Sequence, residues 1–257
     1  GDDAFGDRFI ADLQASNIAW FGKNMALQTI TESERAGTGR CLVLISDDGQ
    51  RSMCTWLGCA GLLHEGDVDQ QAIAASRSLY LEGYLFDLPA SKEAFFKAAR
   101  IAREHKTVAA LTLSDSFCVG RHREDFLHLI GQGIDILFAN ELEAMMLTET
   151  SDQKAMLAAI AECAPIVCVT LSEEGSILIN RGTQHRIMAW HAGPLQDSTG
   201  AGDQYAAGFL FGQAQGWDLV RCGELASRLA GHTVTQYGAR CEGEQIAAIR
   251  RDFAHIS

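Results

Sequence analysis

The hydrophobic residues of this chain are spaced in two ways, with a change near residue 67. In the first part, two strand-like runs at residues 41–46 (CLVLIS) and 51–57 (RSMCTWL) flank residues 47–50 (DDGQ). An Asp-Gly step between two such runs is a strong signal for a β-hairpin. The first part is therefore predicted to contain a hairpin that belongs to a separate small β-layer.

After residue 67, apolar runs alternate with helical stretches. Strands are predicted at residues 78–86, 108–113, 135–139 and 166–171. Helices are predicted after them, at residues 91–105, 121–132, 141–147 and 152–163. The last strand leads into a second predicted hairpin, which turns at Arg181 and Gly182. Strands that alternate with helices are typical of βαβ units.

Three of the predicted strands are apolar at nearly every position, namely residues 108–113, 135–139 and 166–171. Strands have this composition when helices cover both faces of a parallel sheet. We therefore predict an α/β fold with a doubly wound, mainly parallel sheet, in which ligands bind outside the carboxyl ends of the strands. The chain has three prolines and no low-complexity linker or internal repeat, so residues 1–257 are predicted to form a single domain.

The formal net charge of the chain is −12. Nucleic-acid and anionic-lipid surfaces need clustered Lys and Arg, so neither is expected as a partner. No run of 18 apolar residues occurs, so no membrane span is expected. A bound phosphate group would have to be held by local donors.

Eight cysteines are present, none in a CxxC pair, and several lie inside apolar runs. Free buried cysteines behave as small hydrophobic residues in a reducing compartment. No Cys/His cluster has the spacing of zinc ligands. Because the sequence also shows no charged-then-apolar leader, we expect a cytoplasmic protein without a targeting signal.

The segment that carries the most chemistry is residues 197–212 (DSTGAGDQYAAGFLFG). Gly200 and Gly202 bring bare backbone to the start of a predicted helix, where successive N–H groups are unpaired and suit an anion. Asp203 falls in the first turn of that helix. A carboxylate there can accept a proton from an attacking hydroxyl while the amides hold the charge of a transferring phosphoryl group.

The short pattern GxGD alone would favour a plainer interpretation. Asp203 would then only complement the helix dipole, and Gly200 would be a turn residue. The whole string DSTGAGD, however, resembles the second signature of the ribokinase (PfkB-type) sugar kinase family. Over roughly residues 40–240 the chain also resembles the adenosine kinase branch of that family, in the order of the segments EGYLFDLP, LTLSDSFCV, DILFANELEA, VTLSEEGS, DSTGAGD and GHTVTQYGAR.

The resemblance implies a set of site residues. It implies that Asp203 is the base that activates the acceptor hydroxyl. It also implies that the amides of Gly200, Ala201 and Gly202 form the anion hole. The expected cofactors are ATP and Mg²⁺, and the family resemblance also admits a monovalent cation.

Asn140 and Glu143 match the NxxE element of the family. The resemblance implies that this pair places Mg²⁺ and the ATP phosphates, largely through water. Taken alone, an Asn followed three residues later by Glu favours a helix cap. The two roles are compatible, since a helix start at a strand's carboxyl end can support the water shell of a metal.

Two further regions resemble nucleotide-contacting or lid elements. Thr170, Ser172 and Gly175 match a family loop that contacts the nucleotide, although an ordinary exit from a strand explains them equally well. By resemblance, the adenine of ATP is expected near residues 231–238. The resemblance implies that the hairpin is part of a small β lid, with lid strands within about residues 17–60. Arg51 lies in this hairpin, and the favoured interpretation of Arg51 is a solvated strand charge.

The function implied is transfer of the γ-phosphoryl group of ATP to an alcohol group of an adenosine-like nucleoside. A ribokinase- or fructokinase-like sugar kinase is the first alternative. A catalytically silent nucleotide-binding protein is the second, and the intact Asp203 argues against it. The resemblance further admits a homodimer formed through the lid.

The first residues of the chain, 1–9, resemble the family segment that follows a glycine-rich substrate-binding motif. The N-terminal substrate-binding segment of the family has no counterpart in this sequence. We expect such a segment to precede Gly1 in the protein.

Overall fold

The computed structural model describes residues 1–20, 37–241 and 243–254. The strands are β1 (Arg40–Ile45), β2 (Arg51–Trp56), β3 (Ser78–Glu82), β4 (Val108–Thr112), β5 (Ile136–Asn140), β6 (Ile166–Thr170), β7 (Ser176–Asn180) and β8 (Thr183–Ile187). The helices are α1 (Ala4–Ala15), α2 (Gln70–Ala75), α3 (Pro89–His105), α4 (Ser116–Gly131), α5 (Glu141–Thr148), α6 (Gln153–Ile160), α7 (Ala201–Ala214), α8 (Leu219–Thr233) and α9 (Gly243–Ala254). None of these described helices is both long and apolar enough to cross a bilayer.

The main sheet has six strands in the order β3-β4-β5-β6-β7-β8. Strands β3 to β6 run parallel to one another, and β7 and β8 continue the sheet antiparallel. The carboxyl ends of the four parallel strands therefore meet at one edge. The prediction of a mainly parallel sheet is confirmed, and the second predicted hairpin is β7–β8.

Helices cover both faces of this sheet. Alternate residues of one strand point to opposite faces, so Leu137 of β5 joins a core with α3 to α6, whereas Phe138 joins a second core with α7 and α8. Phe126 is fully buried in the first core and Phe209 in the second. Burial on both faces explains why the central strands are apolar at nearly every position.

The hairpin predicted at residues 41–57 is present as a separate two-stranded antiparallel sheet. β1 pairs with β2 in a register that sets Ile45 opposite Arg51. Most of its residues are exposed, and its turn projects toward the loop that precedes α7. Strands β1 and β2 fall within residues 17–60, the range predicted for the lid, and their role as a lid stays a prediction. Residues 21–36 of that range lie outside the described residues.

Two predicted boundaries were wrong. The strand predicted at residues 78–86 ends at Glu82, because the following residues, Gly83–Asp87, form a 3-10 turn. The helix predicted from residue 121 begins at Ser116, because the Asp115 side chain accepts a hydrogen bond from the Cys118 N–H at 2.7 Å and caps it.

Candidate active site

The carboxyl ends of β5 and β6 lie side by side and end in polar residues. Asn140 is the last residue of β5 and is the cross-strand partner of Thr170, the last residue of β6. Thr170 also faces Ser176 of β7. The structure therefore brings together two residues that sequence analysis assigned to the nucleotide and metal site.

Asn140 and Glu143 form a capping box at the start of α5. The Glu143 N–H donates to Asn140 Oδ1 at 2.9 Å, and the Asn140 N–H donates to Glu143 Oε2 at 2.9 Å. Asn140 Nδ2 also donates to Glu143 Oε1 at 2.7 Å. The helix-cap interpretation is confirmed, and the role of this pair toward Mg²⁺ and ATP stays a prediction.

Glu143 is a buried carboxyl in negative surroundings. Its exposed fraction is 5%. Burial raises its pKa to about 7, the charges of Asp115 and Glu82 add to the rise, and the hydrogen bond from the Asn140 N–H opposes it. A cation at this place would favour the ionised form, so the site has an electrostatic preference for positive charge.

The start of α7 presents the backbone amides predicted for the anion hole. Gly200 caps the helix with a φ of 77°, and a Cβ at this position would lie 2.5 Å from the Ala239 carbonyl oxygen. Within the described part of the chain, the amides of Gly200, Gly202 and Asp203 donate no hydrogen bond, while that of Ala201 makes a long one of 3.4 Å to the Ser198 carbonyl. Unpaired amides at a helix N-terminus are suited to an anion.

Asp203 lies in the first turn of α7 and is open to solvent on one side. Partial burial in the cleft raises the pKa of its carboxyl, and the positive charge of Arg51 opposes this rise. Burial likewise raises the pKa of the Tyr80 phenol, and the charges of both Asp203 and Glu143 add to it. Both carboxylates therefore lie near the Tyr80 phenol, and a site shared by Asp203 and Glu143 stays a prediction.

Tyr80 and Glu82 of β3 were not predicted as site residues. Both lie on the face of the strand opposite to Leu79 and Leu81, and burial raises the pKa of Glu82 with a further contribution from Asp203. A signal was present in the sequence, since Tyr80 and Glu82 alternate with Leu79 and Leu81 along β3. Polar groups at every second position mark the face of a strand that is not fully apolar.

Asp197 holds the loop before α7 in place. Its exposed fraction is 2%, and its two oxygens accept the N–H groups of Thr199 at 2.8 Å and Gly238 at 2.9 Å. Burial alone would raise the pKa of this carboxyl, but hydrogen bonding from Thr199 and Gly238, together with the charge of Arg51, lowers it below its usual range. Asp197 thus ties the loop before α7 to residues 231–238, where the adenine is expected by resemblance.

Arg51 is exposed on β2, as the favoured interpretation of a solvated strand charge expected, and it also makes one contact outside the hairpin. Its Nη1 donates to the Ser198 hydroxyl oxygen at 2.7 Å. Its charge contributes to the lowered pKa of Asp197 and opposes the rise in the pKa of Asp203. The two partners of this hydrogen bond are 147 positions apart in sequence. No local pattern could have indicated the contact.

The loop after β6 makes a tight turn. Ser172 has a φ of 52°, in the left-handed region that glycine adopts more easily, and it begins a 3-10 turn at Ser172–Glu174 that is followed by Gly175. This geometry is that of a strand exit, as one interpretation expected. Contact of Thr170, Ser172 and Gly175 with a nucleotide stays a prediction.

Comparisons with known proteins give a consistent picture. A model described as pfkB family carbohydrate kinase matches residues 1–244. The adenosine kinase of Saccharomyces cerevisiae is 25% identical over 265 residues, which cover 91% of this chain and 77% of that protein. A 5-dehydro-2-deoxygluconokinase of Clostridium perfringens is 23% identical over 193 residues, and the match spans 72% of this chain and only 57% of that protein.

Solved structures show the same relationship. The adenosine kinase of Sinorhizobium meliloti superimposes with a TM-score of 0.91 at 39% identity, over 98% of this chain and 75% of that one. A probable sugar kinase protein of Rhizobium etli superimposes with a TM-score of 0.90 at 37% identity, with the same two coverages. The ribokinase-like fold predicted from the sequence is therefore confirmed.

Proposed function

The chain belongs to the pfkB family of carbohydrate kinases, and we propose that it transfers the γ-phosphoryl group of ATP to a hydroxyl group of a nucleoside. The observation that carries the proposal is the start of α7. There the Asp203 carboxylate and a group of unpaired backbone amides occupy the same helical turn. This arrangement supplies a proton acceptor and an anion site next to each other.

In the proposed reaction, the acceptor hydroxyl oxygen forms a bond to the γ-phosphorus, and the bond from that phosphorus to the β,γ-bridging oxygen breaks, so that ADP leaves. The hydroxyl proton passes to the Asp203 carboxylate. The raised pKa of Asp203 makes this carboxylate a stronger base than an ordinary Asp. The amides of Gly200, Ala201 and Gly202 hold the negative charge on the transferring group.

The residues present fit a Mg²⁺ that keeps most of its water and phosphate ligands. No cluster of three or more His, Cys, Asp or Glu among the described residues could enclose a metal ion. Magnesium commonly binds proteins through one or two carboxylates plus substrate phosphates. Asn140 and Glu143 would hold it through water, and the ion would neutralise charge on the ATP phosphates.

A nucleoside is favoured as acceptor because the 39% identical structure is an adenosine kinase and the yeast relative carries the same name. A sugar acceptor is the second candidate. The observations in its favour are the 37% identical sugar kinase structure and the related 5-dehydro-2-deoxygluconokinases.

The test is ADP release by the intact protein with ATP, Mg²⁺ and a panel of nucleosides and sugars. We expect turnover with adenosine or another nucleoside and much weaker turnover with sugars. Turnover with sugars alone would establish the second candidate. Calorimetric binding of ATP and adenosine without any turnover would show a silent nucleotide-binding protein and contradict the proposal.

A further inference from the structure

The tip of the β1–β2 hairpin is docked on the loop that precedes α7. The Ser198 N–H donates to the Gly49 carbonyl oxygen at 3.4 Å, and the Ser198 hydroxyl accepts a hydrogen bond from Arg51 at 2.7 Å. Gly49 has a φ of 76°, and a Cβ there would lie 2.5 Å from Leu195 Cγ. The hairpin turn can approach the loop this closely because it presents bare backbone.

The residues on either side of Ser198 are held by hydrogen bonds. Its neighbours Asp197 and Thr199 are joined by a 2.8 Å hydrogen bond, and Asp197 is anchored further to the Gly238 N–H. A side chain bound to Ser198 is therefore bound to a fixed point two residues before Gly200.

The Arg51 guanidinium depends on this point for its orientation. In the described ranges of the chain, its one hydrogen bond is to Ser198, and no carboxylate lies within ion-pair distance. A long Arg side chain without such a partner samples many rotamers. The same guanidinium is close enough to Asp203 to oppose the rise in the pKa of that carboxyl.

We propose that Ser198 is a positioning residue that latches the β1–β2 hairpin onto the catalytic loop and orients Arg51 toward the phosphoryl-transfer site. This inference rests on the proposed kinase function. The latch consists of the Ser198–Gly49 and Ser198–Arg51 contacts. When both contacts are made, the latch holds the positive charge of Arg51 beside Asp203, where this charge can face the transferring phosphoryl group.

The first test compares Ser198→Ala with Ser198→Thr, which keeps the hydroxyl. A hydrogen bond to a charged group is strong enough that its loss should lower kcat by about tenfold or more. The acid limb of the pH profile of kcat/KM should also move to higher pH, because Asp203 without the oriented cation has a higher pKa. Ser198→Thr should restore both. Thr55→Val removes a hydroxyl from the same hairpin that, among the described residues, hydrogen bonds to Cys41, and it should change neither.

The second test asks whether Ser198 acts through Arg51. In an Arg51→Gln background, Ser198→Ala should cause no further shift of the acid limb. An equal shift in both backgrounds would overturn the proposal, because Ser198 would then act without Arg51. Non-additivity of this kind is the expected sign of two residues that work as one unit.

The third test needs no activity. Trypsin cleavage after Arg51, relative to cleavage after Arg40 at the other end of the hairpin, should become faster in Ser198→Ala and stay unchanged in Thr55→Val. If Ser198→Ala is cleaved faster but the wild-type protein phosphorylates no acceptor, the proposed kinase function is refuted and the proposed latch is still supported. Unchanged cleavage, with wild-type kcat and pH profile in Ser198→Ala, would refute the latch.

Discussion

Replacing Asp203 by Asn removes a proton acceptor while nearly preserving the size of the side chain. General-base catalysis contributes on the order of 10²–10⁴ in rate, so we expect turnover to fall by about that factor or more. Affinity for ATP should change much less, because the amides proposed to hold the phosphates belong to the backbone of Gly200, Ala201 and Gly202.

The same substitution should leave stability nearly unchanged. In the described structure the Asp203 carboxylate accepts no hydrogen bond, so Asn would lose chiefly a favourable interaction with the helix dipole, about 0.3–1 kcal/mol. The raised pKa acts in the opposite direction, because it means that the fold disfavours the charged form that Asn eliminates. The two effects have opposite signs and should partly cancel.

Asp197→Asn is the matched control, with the same chemical change six positions earlier. Asp197 is buried and accepts two backbone N–H groups, one of which would face the new amide NH₂. An unsatisfied buried donor costs about 1–3 kcal/mol, so this variant should melt at a clearly lower temperature. We expect its turnover to fall less than that of Asp203→Asn, through changed loop geometry.

Single-turnover rates and melting temperatures of the two variants decide the matter. The expected pattern is a slow but stable Asp203→Asn and a faster but less stable Asp197→Asn. If Asp203→Asn melts lower but phosphorylates normally, Asp203 has only a helix-dipole role and the catalytic assignment is wrong.

Three further predictions follow from the site and the core. Without Mg²⁺, the raised pKa of Glu143 should make the protein lose stability in thermal melts as pH rises from about 4.5 to about 7. Glu143→Gln should lack this pH dependence. An identical dependence in both proteins would show that Glu143 does not cause it. Because Gly200 has a positive φ, Gly200→Ala should lower the free energy of unfolding by more than about 1 kcal/mol in chemical denaturation. Gly202→Ala, whose Cβ meets no atom within 4 Å, should stay within about 1 kcal/mol of wild type. Equal losses in the two variants would refute the role given to the φ of Gly200. Phe209→Ala should cost about 3–5 kcal/mol in the same assay, and a loss below about 1 kcal/mol would show that Phe209 is not a core residue.

Much of the fold could be predicted because its signals are local. An Asp-Gly step between two apolar runs predicted the β1–β2 hairpin, and the nearly continuous apolar runs of β4, β5 and β6 predicted strands covered on both faces. The ends of β3 and α4 were missed because a 3-10 turn and the Asp115 cap decide them, and neither disturbs the apolar pattern.

Part of the candidate site was equally local. The string DSTGAGD contains both the amides and the carboxylate in one helical turn, so its chemistry was visible in seven consecutive residues. Asn140 and Glu143 are likewise three residues apart and cap the same helix.

The tertiary structure alone decided which distant residues act on these groups. It brought Arg51 to Ser198, 147 positions away in sequence. It also placed Tyr80 where the charges of Asp203 and Glu143 both contribute to the raised pKa of its phenol. It also raised the pKa of Glu143 to about 7, because burial and neighbouring charges come from other segments of the chain. A pattern in sequence reports the conformation of its own backbone, whereas a site's electrostatics depend on what the fold packs around it.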